Sequence, residues 1–317
     1  MVTSRRLWAA LAAAVVTLAT TVAGPAVAKE TAPPGGPPND PLFPSQWNLP
    51  LIQIPEAWRF STGLGTTVAV LDTGVAFEDY ADAGYSYRKV PGFAGTRFAP
   101  GYDFVDNDDH PNDNVNPRSS QEPGHGTHKA AVIAETANDG KGTAGVAPGA
   151  TIMPVRVLDW SGSGNVEAIA AGIRFAADHG AHVAVMSLTG VDSGPVEAAV
   201  RYAASKGMIM VAPSGNEGAG AVAFPASDPD VIAVGAVAAD RKRAYYSNYG
   251  AGLDLVAPGG DLSADLTGDG QPDGIRQQTF VGTLDGFCHC QVEGTSAAAP
   301  HVAAVVALLV SSGLATT

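Results

Sequence analysis

Five short runs, Thr67–Leu71, Thr151–Val157, His182–Met186, Met208–Val211 and Val231–Val234, are apolar at successive positions rather than at alternate ones. Strand side chains point to opposite faces in turn, so runs of this kind have both faces covered. Between them lie helical patterns. Val166, Ile169, Ala170 and Ile173 recur at helical spacing, and Asp178-His179-Gly180 supplies a stop. A second helix is predicted from about Val196 to Lys206, with Gly207 as its terminator. Strand and helix in repetition predict an α/β fold, doubly wound, with a mostly parallel sheet and helices on both faces. In such a sheet the ligand site lies at the carboxyl ends of the strands.

The chain opens as an export signal. Arg5 and Arg6 precede an apolar run from Leu7 to about Ala23, and Ala26-Val27-Ala28 offers small residues for cleavage. Residues 1–28 are therefore read as a signal peptide, the mature chain begins near Lys29, and the protein is expected outside the cell. As a membrane anchor the run is short, and no later stretch is apolar for the roughly 20 residues a span needs. The segment KETAPPGGPPN that follows cannot bury a hydrophobic face, so 29–38 reads as a disordered lead-in and 39–317 as one domain. A formal net charge of −13, made more negative by loss of Arg5 and Arg6, disfavours nucleic acid and favours cations.

Cys288 and Cys290 are the only cysteines. One intervening residue makes a mutual disulfide strained, and with His289 they still fall short of a four-ligand zinc site, so free thiols or an intermolecular bridge are expected.

Three segments carry candidate chemistry. Asp72 closes the apolar strand in VAVLDTGV, where functional side chains of a parallel sheet sit, although a turn residue would look the same. His125 stands in GHGTHKAAVIA between two glycines at a helix start. His128 is one turn on, but without an HExxH pattern the pair does not read as a zinc protease. Ser296, in EGTSAAAPHVAAVVALLV, begins a long apolar helix whose positive end it shares with an ordinary N-cap serine.

The order Asp, His, Ser, with these local sequences, closely resembles the subtilisin-like serine peptidases from about Asn39 to Leu309, with thermitase-like features. The resemblance implies their three-layer sandwich and a secreted endopeptidase that hydrolyses peptide bonds through an acyl-enzyme. Ser296 would be the nucleophile, His125 the base, Asp72 its orienting carboxylate, and Asn216 of APSGNEG the oxyanion donor. It further implies that Gly162-Ser163-Gly164 pairs with an extended substrate. Ser187-Leu188-Thr189 and Ala212-Pro213-Ser214 would wall the first specificity pocket, and Ala223 of AFPAS would floor it. The methyl of Ala223 is then expected to favour medium aliphatic side chains, and Glu217 at the rim to admit Lys or Arg. Protein or peptide substrates are the expected partners.

Calcium is the expected cofactor, with no organic one. Asp103, Asp106, Asp108 and Asn112 of DFVDNDDHPN resemble the calcium loop of thermitase-like members, and Asp40 and Asp139 resemble contributors to a second site. DLTGDGQPDG places Asp265, Thr267, Asp269 and Asp273 at EF-hand positions, but Arg276 stands where the closing Glu would be, so a weak site is expected.

The pattern departs from the family in four places. Only the Pro/Gly segment stands where relatives usually have a folded prodomain, so folding unassisted, on bound ions or with a separately encoded helper is expected. SSGLATT follows soon after the serine helix, where relatives usually continue, so the domain is expected to be short at its C-terminus. Lys129 replaces a valine and must snorkel or find a partner, and Ala297 replaces a methionine and leaves space. Two other functions fit less well. An α/β-hydrolase would need GxSxG and the order Ser, Asp, His. A catalytically impaired binding protein would not need Asp72, His125, Ser296 and Asn216 together.

Overall fold

A computed structural model describes residues 37–82, 84–114, 124–190 and 192–317. The expected signal peptide and the lead-in up to residue 36 lie outside the described residues. Among these residues eight strands form the main sheet in the order β10-β9-β8-β7-β1-β6-β4, with β5 also pairing β6. They are β1 (Thr67–Asp72), β4 (Arg97–Phe98), β5 (Tyr102–Asp103), β6 (Thr151–Arg156), β7 (Val183–Met186), β8 (Ile209–Pro213), β9 (Val231–Val237) and β10 (Leu255–Pro258). Every pairing in this sheet is parallel. Two antiparallel hairpins stand apart, β2 (Tyr80–Asp82) with β3 (Tyr85–Tyr87) and β11 (Ile275–Phe280) with β12 (Phe287–Val292).

The short helices α1 (Asn48–Leu51) and α2 (Ile54–Ala57) precede the sheet, and α3 (His125–Ala134), α4 (Val166–Asp178), α5 (Gly194–Ser205) and α6 (Thr295–Ser311) cover its two faces. Helix α4 begins where Asn165 Oδ1 accepts the Ala168 N–H, a side-chain cap for an orphan donor. Its buried Ile173 and Ala176 meet Leu71, Val155 and Met186 of the sheet, together with Val196, Ala199 and Val200 of α5. Burying one such aliphatic side chain is worth about 1.5–3 kcal/mol. The alternate strand positions, Val68, Val70, Ile152 and Val185 among them, are just as buried, because α3 and α6 cover the opposite face. This is the three-layer α/β sandwich expected from the runs apolar on both faces.

Helix α6 is apolar on every side and buried nearly throughout, as a helix packed all round must be. Pro300 lies inside it and has no N–H to offer the Ser296 carbonyl one turn back. The Ser187 hydroxyl, 3.4 Å from that oxygen, donates instead. The space expected beside Ala297 is closed, since Ala297 packs against Val132 and Ile275. Lys129 does not snorkel. It is buried at 1 % exposure and engages a partner.

Cys288 and Cys290 form a disulfide with each other, contrary to the expectation of free thiols or an intermolecular bridge. Both lie on β12, where residues two apart share a face, and their Cα atoms are 5.2 Å apart, within the range a disulfide spans. His289 points the other way, with Nε2 3.6 Å from Glu135 Oε1, so the three residues do not converge as metal ligands.

His301 is fully buried in α6. Its Nδ1–H donates to the Ala297 carbonyl and its Nε2 accepts from Asn48, which fixes a neutral ring. Burial pulls His301 down to about 4 from 6.5, and it pulls His128 well below its usual value too. The unfolded chain thus takes up a proton at His301 that the fold refuses, and stability falls as the pH drops from about 6.5 through 4. Buried Asp113, pushed up to about 6, acts the other way, gaining stability on protonation as the pH falls over nearly the same window. A variant isolates the histidine. From pH 7 to 4, urea unfolding is expected to show His301→Asn losing on the order of 3 kcal/mol less stability than the parent. Equal losses would mean that His301 titrates normally.

Candidate active site

Asp72 is the last residue of β1 and fully buried, at the carboxyl edge of the sheet. Its Oδ1 accepts from the Thr73 N–H at 2.7 Å and from His125 Nδ1 at 2.7 Å. A carboxylate can only accept, so His125 carries its proton on Nδ1 and turns the lone pair of Nε2 outward. That nitrogen lies 3.3 Å from Ser296 Oγ. The three groups come from positions 72, 125 and 296 and form one hydrogen-bonded line, an arrangement that can take a proton from a hydroxyl as it attacks a carbonyl carbon.

Local backbone makes this line possible. Gly126 is required by close approach, since a Cβ there would lie 2.2 Å from the Gly74 carbonyl oxygen. Gly124 sits at φ 72°, where a side chain is strained, and its carbonyl accepts from Thr279 Oγ1. Asp113, which the sequence reading missed, ties the two ends together. Its carboxylate accepts from Thr73 Oγ1 and from both the N–H and the hydroxyl of Thr127, while Thr73 Oγ1 accepts the Gly126 N–H. The start of α3, and with it His125, is thereby pinned to the end of β1.

Asn216 stands just beyond β8 on the cleft wall. Its Oδ1 accepts from the N–H and the hydroxyl of Thr295, each at 2.8 Å, which leaves Nδ2 as the end free to donate. Ser296 is the second residue of α6, and the first N–H groups of a helix have no intrahelical acceptor. Its own N–H is thus a second donor beside Oγ. Thr295, the residue that orients the amide, was not singled out from the sequence; its place in EGTS was the available signal.

A cleft of about 830 Å³ runs past these groups. Gly162, Ser163, Gly164, Ser187, Leu188, Thr189 and Pro213 line it, together with His125, Asn216 and Ser296. Ala212 and Ser214 do not. Both are fully buried, and the partly buried Ala223 is tied by its N–H to the Ser214 carbonyl, so the three back the wall rather than form it. Leu158, Trp160, Val166, Ile169, Phe224 and Glu293 line the cleft and were missed. Glu217 is turned to Asn248, whose Nδ2 donates to it at 2.7 Å, and the carboxylate on the cleft wall is Glu293 instead. His128 is a core residue that donates Nε2–H to the Ile275 carbonyl.

The expected calcium ligands divide. Asp103 and Asp106 both face the Arg156 guanidinium, Asp103 at 2.6 Å, so a side-chain cation already lies between them. Asp108 accepts the His110 N–H, and Asn112 donates to Glu78. The acidic side chains of this loop thus have partners within the protein, the arginine from β6 reaching two of them. Asp40 accepts from the N–H groups of Asn138 and Asp139, and burial and the neighbouring Asp139 carboxylate raise its pKa. The oxygens that do converge belong to Asp265, Asp269 and Asp273, within 4.8 Å of one another. Thr267 turns inward, donating to Asp273.

Comparison with known proteins agrees with this geometry. The profile of the subtilase family, S8 peptidases, matches residues 63–315. Thermitase of Thermoactinomyces vulgaris is 39% identical over 278 residues, covering 87% of this chain and 86% of that protein. Subtilisin Savinase of Lederbergia lenta is 38% identical over 265 residues, 83% of each chain. Among solved structures, a protease of Pseudoalteromonas arctica PAMC 21717 superposes with a TM-score of 0.73 at 33% identity, covering 86% of this chain and 87% of that one. With sequence, fold and cleft in agreement, the chain belongs to the subtilase family and is a serine endopeptidase.

Proposed function

We propose that Asp72, His125 and Ser296 are the catalytic triad and that the Asn216 Nδ2 and Ser296 N–H groups form the oxyanion hole. The observation that carries this reading is the unbroken line from Asp72 Oδ1 through His125 to Ser296 Oγ, at 2.7 and 3.3 Å. Ser296 Oγ bonds to the substrate carbonyl carbon while its proton passes to His125 Nε2. The carbonyl oxygen becomes an anion between the two donors, where preorganised N–H groups act at full strength. Collapse breaks the carbon–nitrogen bond, His125 returns the proton to the departing amine, and an acyl ester remains on Ser296. Water then repeats the sequence, with His125 again taking the proton. Asp72 stays ionised throughout and stabilises the imidazolium. The edge at Gly162 to Gly164 would pair with the substrate backbone, and Ser187 to Thr189 with Pro213 would enclose the side chain before the scissile bond. A serine-directed fluorophosphonate is expected to add one label, mapped to Ser296. A label elsewhere, or none on folded protein, would overturn the assignment.

In this reading residues 1–28 direct export, the lead-in follows, and 39–317 is the catalytic domain, in keeping with two features. The chain is similar to subtilisins, and among the described residues no helix is long and apolar enough to cross a membrane. Asp265, Asp269 and Asp273 would hold calcium. Three converging carboxylates, with no cationic side chain paired to them among the described residues, fit a hard oxygen-seeking ion, which would supply charge neutralisation and tie the loop together. At a free calcium concentration about 100 times the dissociation constant, binding adds about 2.7 kcal/mol to stability. Melting is expected at a higher temperature in millimolar calcium than in EGTA, and Asp269→Asn should shrink the difference. Equal melting temperatures for the parent in both buffers would remove calcium from the account.

A further inference from the structure

From the carboxyl edge of the sheet we infer that Glu293, with Tyr245, makes this peptidase select substrates carrying Arg or Lys within the first two residues after the scissile bond. This rests on the triad reading above. Glu293 lies three residues before Ser296, directly after β12, and lines the cleft. Its two oxygens are held by neutral donors. The Tyr245 hydroxyl donates to Oε1 at 2.7 Å and the Leu262 N–H to Oε2 at 2.6 Å. The carboxylate is thus fixed in place without losing its charge. Among the described residues no ion pair engages it. Asp261 stands nearby, and the Tyr245 phenol is raised first by its bond to Glu293, then by the charge of Glu293, by burial and, last, by the charge of Asp261. Two carboxylates, Glu293 and Asp261, thus act on this end of the cleft.

Sheet order says which part of the substrate meets this group. Along the carboxyl edge, Leu262 follows β10, Tyr245 follows β9, Asn216 follows β8, Ser187 to Gly190 follow β7, and Ser161 to Gly164 follow β6 on the far side of β1. The segments that hold the acyl portion therefore lie on one side of Asn216 and Ser296, and Glu293 and Tyr245 lie on the other. A chain gripped on the first side and cut at Ser296 sends its leaving fragment across the second. There it meets an oriented carboxylate and an aromatic ring that is 62% exposed. That pair suits a guanidinium or ammonium, which gains an ion pair from the one and a cation–π contact from the other.

The test uses matched internally quenched peptides, identical up to the scissile bond, with Arg, Gln or Glu at each of the two positions after it. The enzyme is titrated with the fluorophosphonate so that rates refer to labelled sites. The parent is expected to prefer Arg over Glu by about tenfold in kcat/KM at one of the two positions, since attraction of one and repulsion of the other add at a partly exposed site. The preference should fade toward about 1 M salt, where charges are screened within ~3 Å. Glu293→Gln should bring the ratio to within about twofold, and Glu293→Lys should invert it. A labelled parent with no Arg preference at either position overturns this inference alone, whatever the variants do. Preference retained by Glu293→Gln assigns the selectivity elsewhere and overturns it too. A folded parent that takes no label overturns the triad reading and this inference with it.

Discussion

Ser296→Ala is expected to lower kcat for peptide hydrolysis by about 10⁶-fold, the loss that removal of the nucleophile causes in subtilisin, while leaving the melting temperature within a degree or two. The hydroxyl is the atom to which the acyl group would be bonded, and its removal leaves Asn216, the Ser296-position N–H and the cleft able to bind substrate without reacting. The fold should not notice. Among the described residues Ser296 Oγ has one hydrogen bond, to His125 Nε2 at 3.3 Å, and both residues are partly exposed, so no fully buried partner is orphaned. The measurement is a progress curve on a quenched peptide at high enzyme concentration, with a thermal melt alongside. A variant that cut at the parent rate would end the assignment, and one that failed to fold would show Ser296 to be a structural residue.

Asp72→Asn is expected to cost about 10⁴-fold in kcat, the size of the corresponding loss in chymotrypsin-type enzymes. Asp72 Oδ1 holds two donors, the Thr73 N–H and His125 Nδ1–H, inside a fully buried site. An asparagine has two ways to sit there. With its oxygen toward His125 it keeps the tautomer but removes the negative charge that stabilises the imidazolium as the hydroxyl proton arrives. With its NH₂ toward His125 it meets the Thr73 N–H donor to donor and drives the imidazole to the other tautomer, whose Nε2 cannot take a proton. Either outcome leaves Ser296 without a working base. The loss should appear in kcat far more than in KM, because neither effect touches the substrate before reaction. A loss confined to KM would mean that Asp72 shapes the cleft rather than the base.

Much of the fold was legible because its signals are local. A strand buried on both faces must be apolar at successive positions, and the runs beginning at Thr67, Thr151, His182, Met208 and Val231 mark five of the main strands, with starts within one residue and the last strand running three residues beyond its run to Val237. Helix α4 was readable from its spacing and from the stop at Asp178-His179-Gly180, whereas its cap at Asn165 was not. The hairpin of β11 and β12 was not. Ile275–Phe280 reads IRQQTF, and its buried glutamines look wrong for a core until their partners are known. Gln277 Nε2 donates to the Ala144 carbonyl, and the Gly92 N–H donates to Gln278 Oε1. No local pattern announces a hydrogen bond across more than a hundred residues.

The same division runs through the site. Asp72, His125, Ser296 and Asn216 could be put forward as candidates from the sequence because each stands in a short, recognisable segment, and the chemistry of carboxylate, imidazole and hydroxyl narrows what such a set can do. By itself the sequence determined the α/β class, the strands with both faces covered and the residue types available at their carboxyl ends. Only the tertiary structure decided that Thr295 turns the Asn216 amide, that Asp113 pins α3 to β1, that Arg156 sits among the acidic residues expected to bind calcium, that Cys288 bonds Cys290, and that Glu293 rather than Glu217 faces the cleft. The reason is physical. Side-chain period and backbone propensity act within a few residues, whereas hydrogen bonds and charges act at about 3 Å in space, and which groups come that close is set by the order of strands in the sheet.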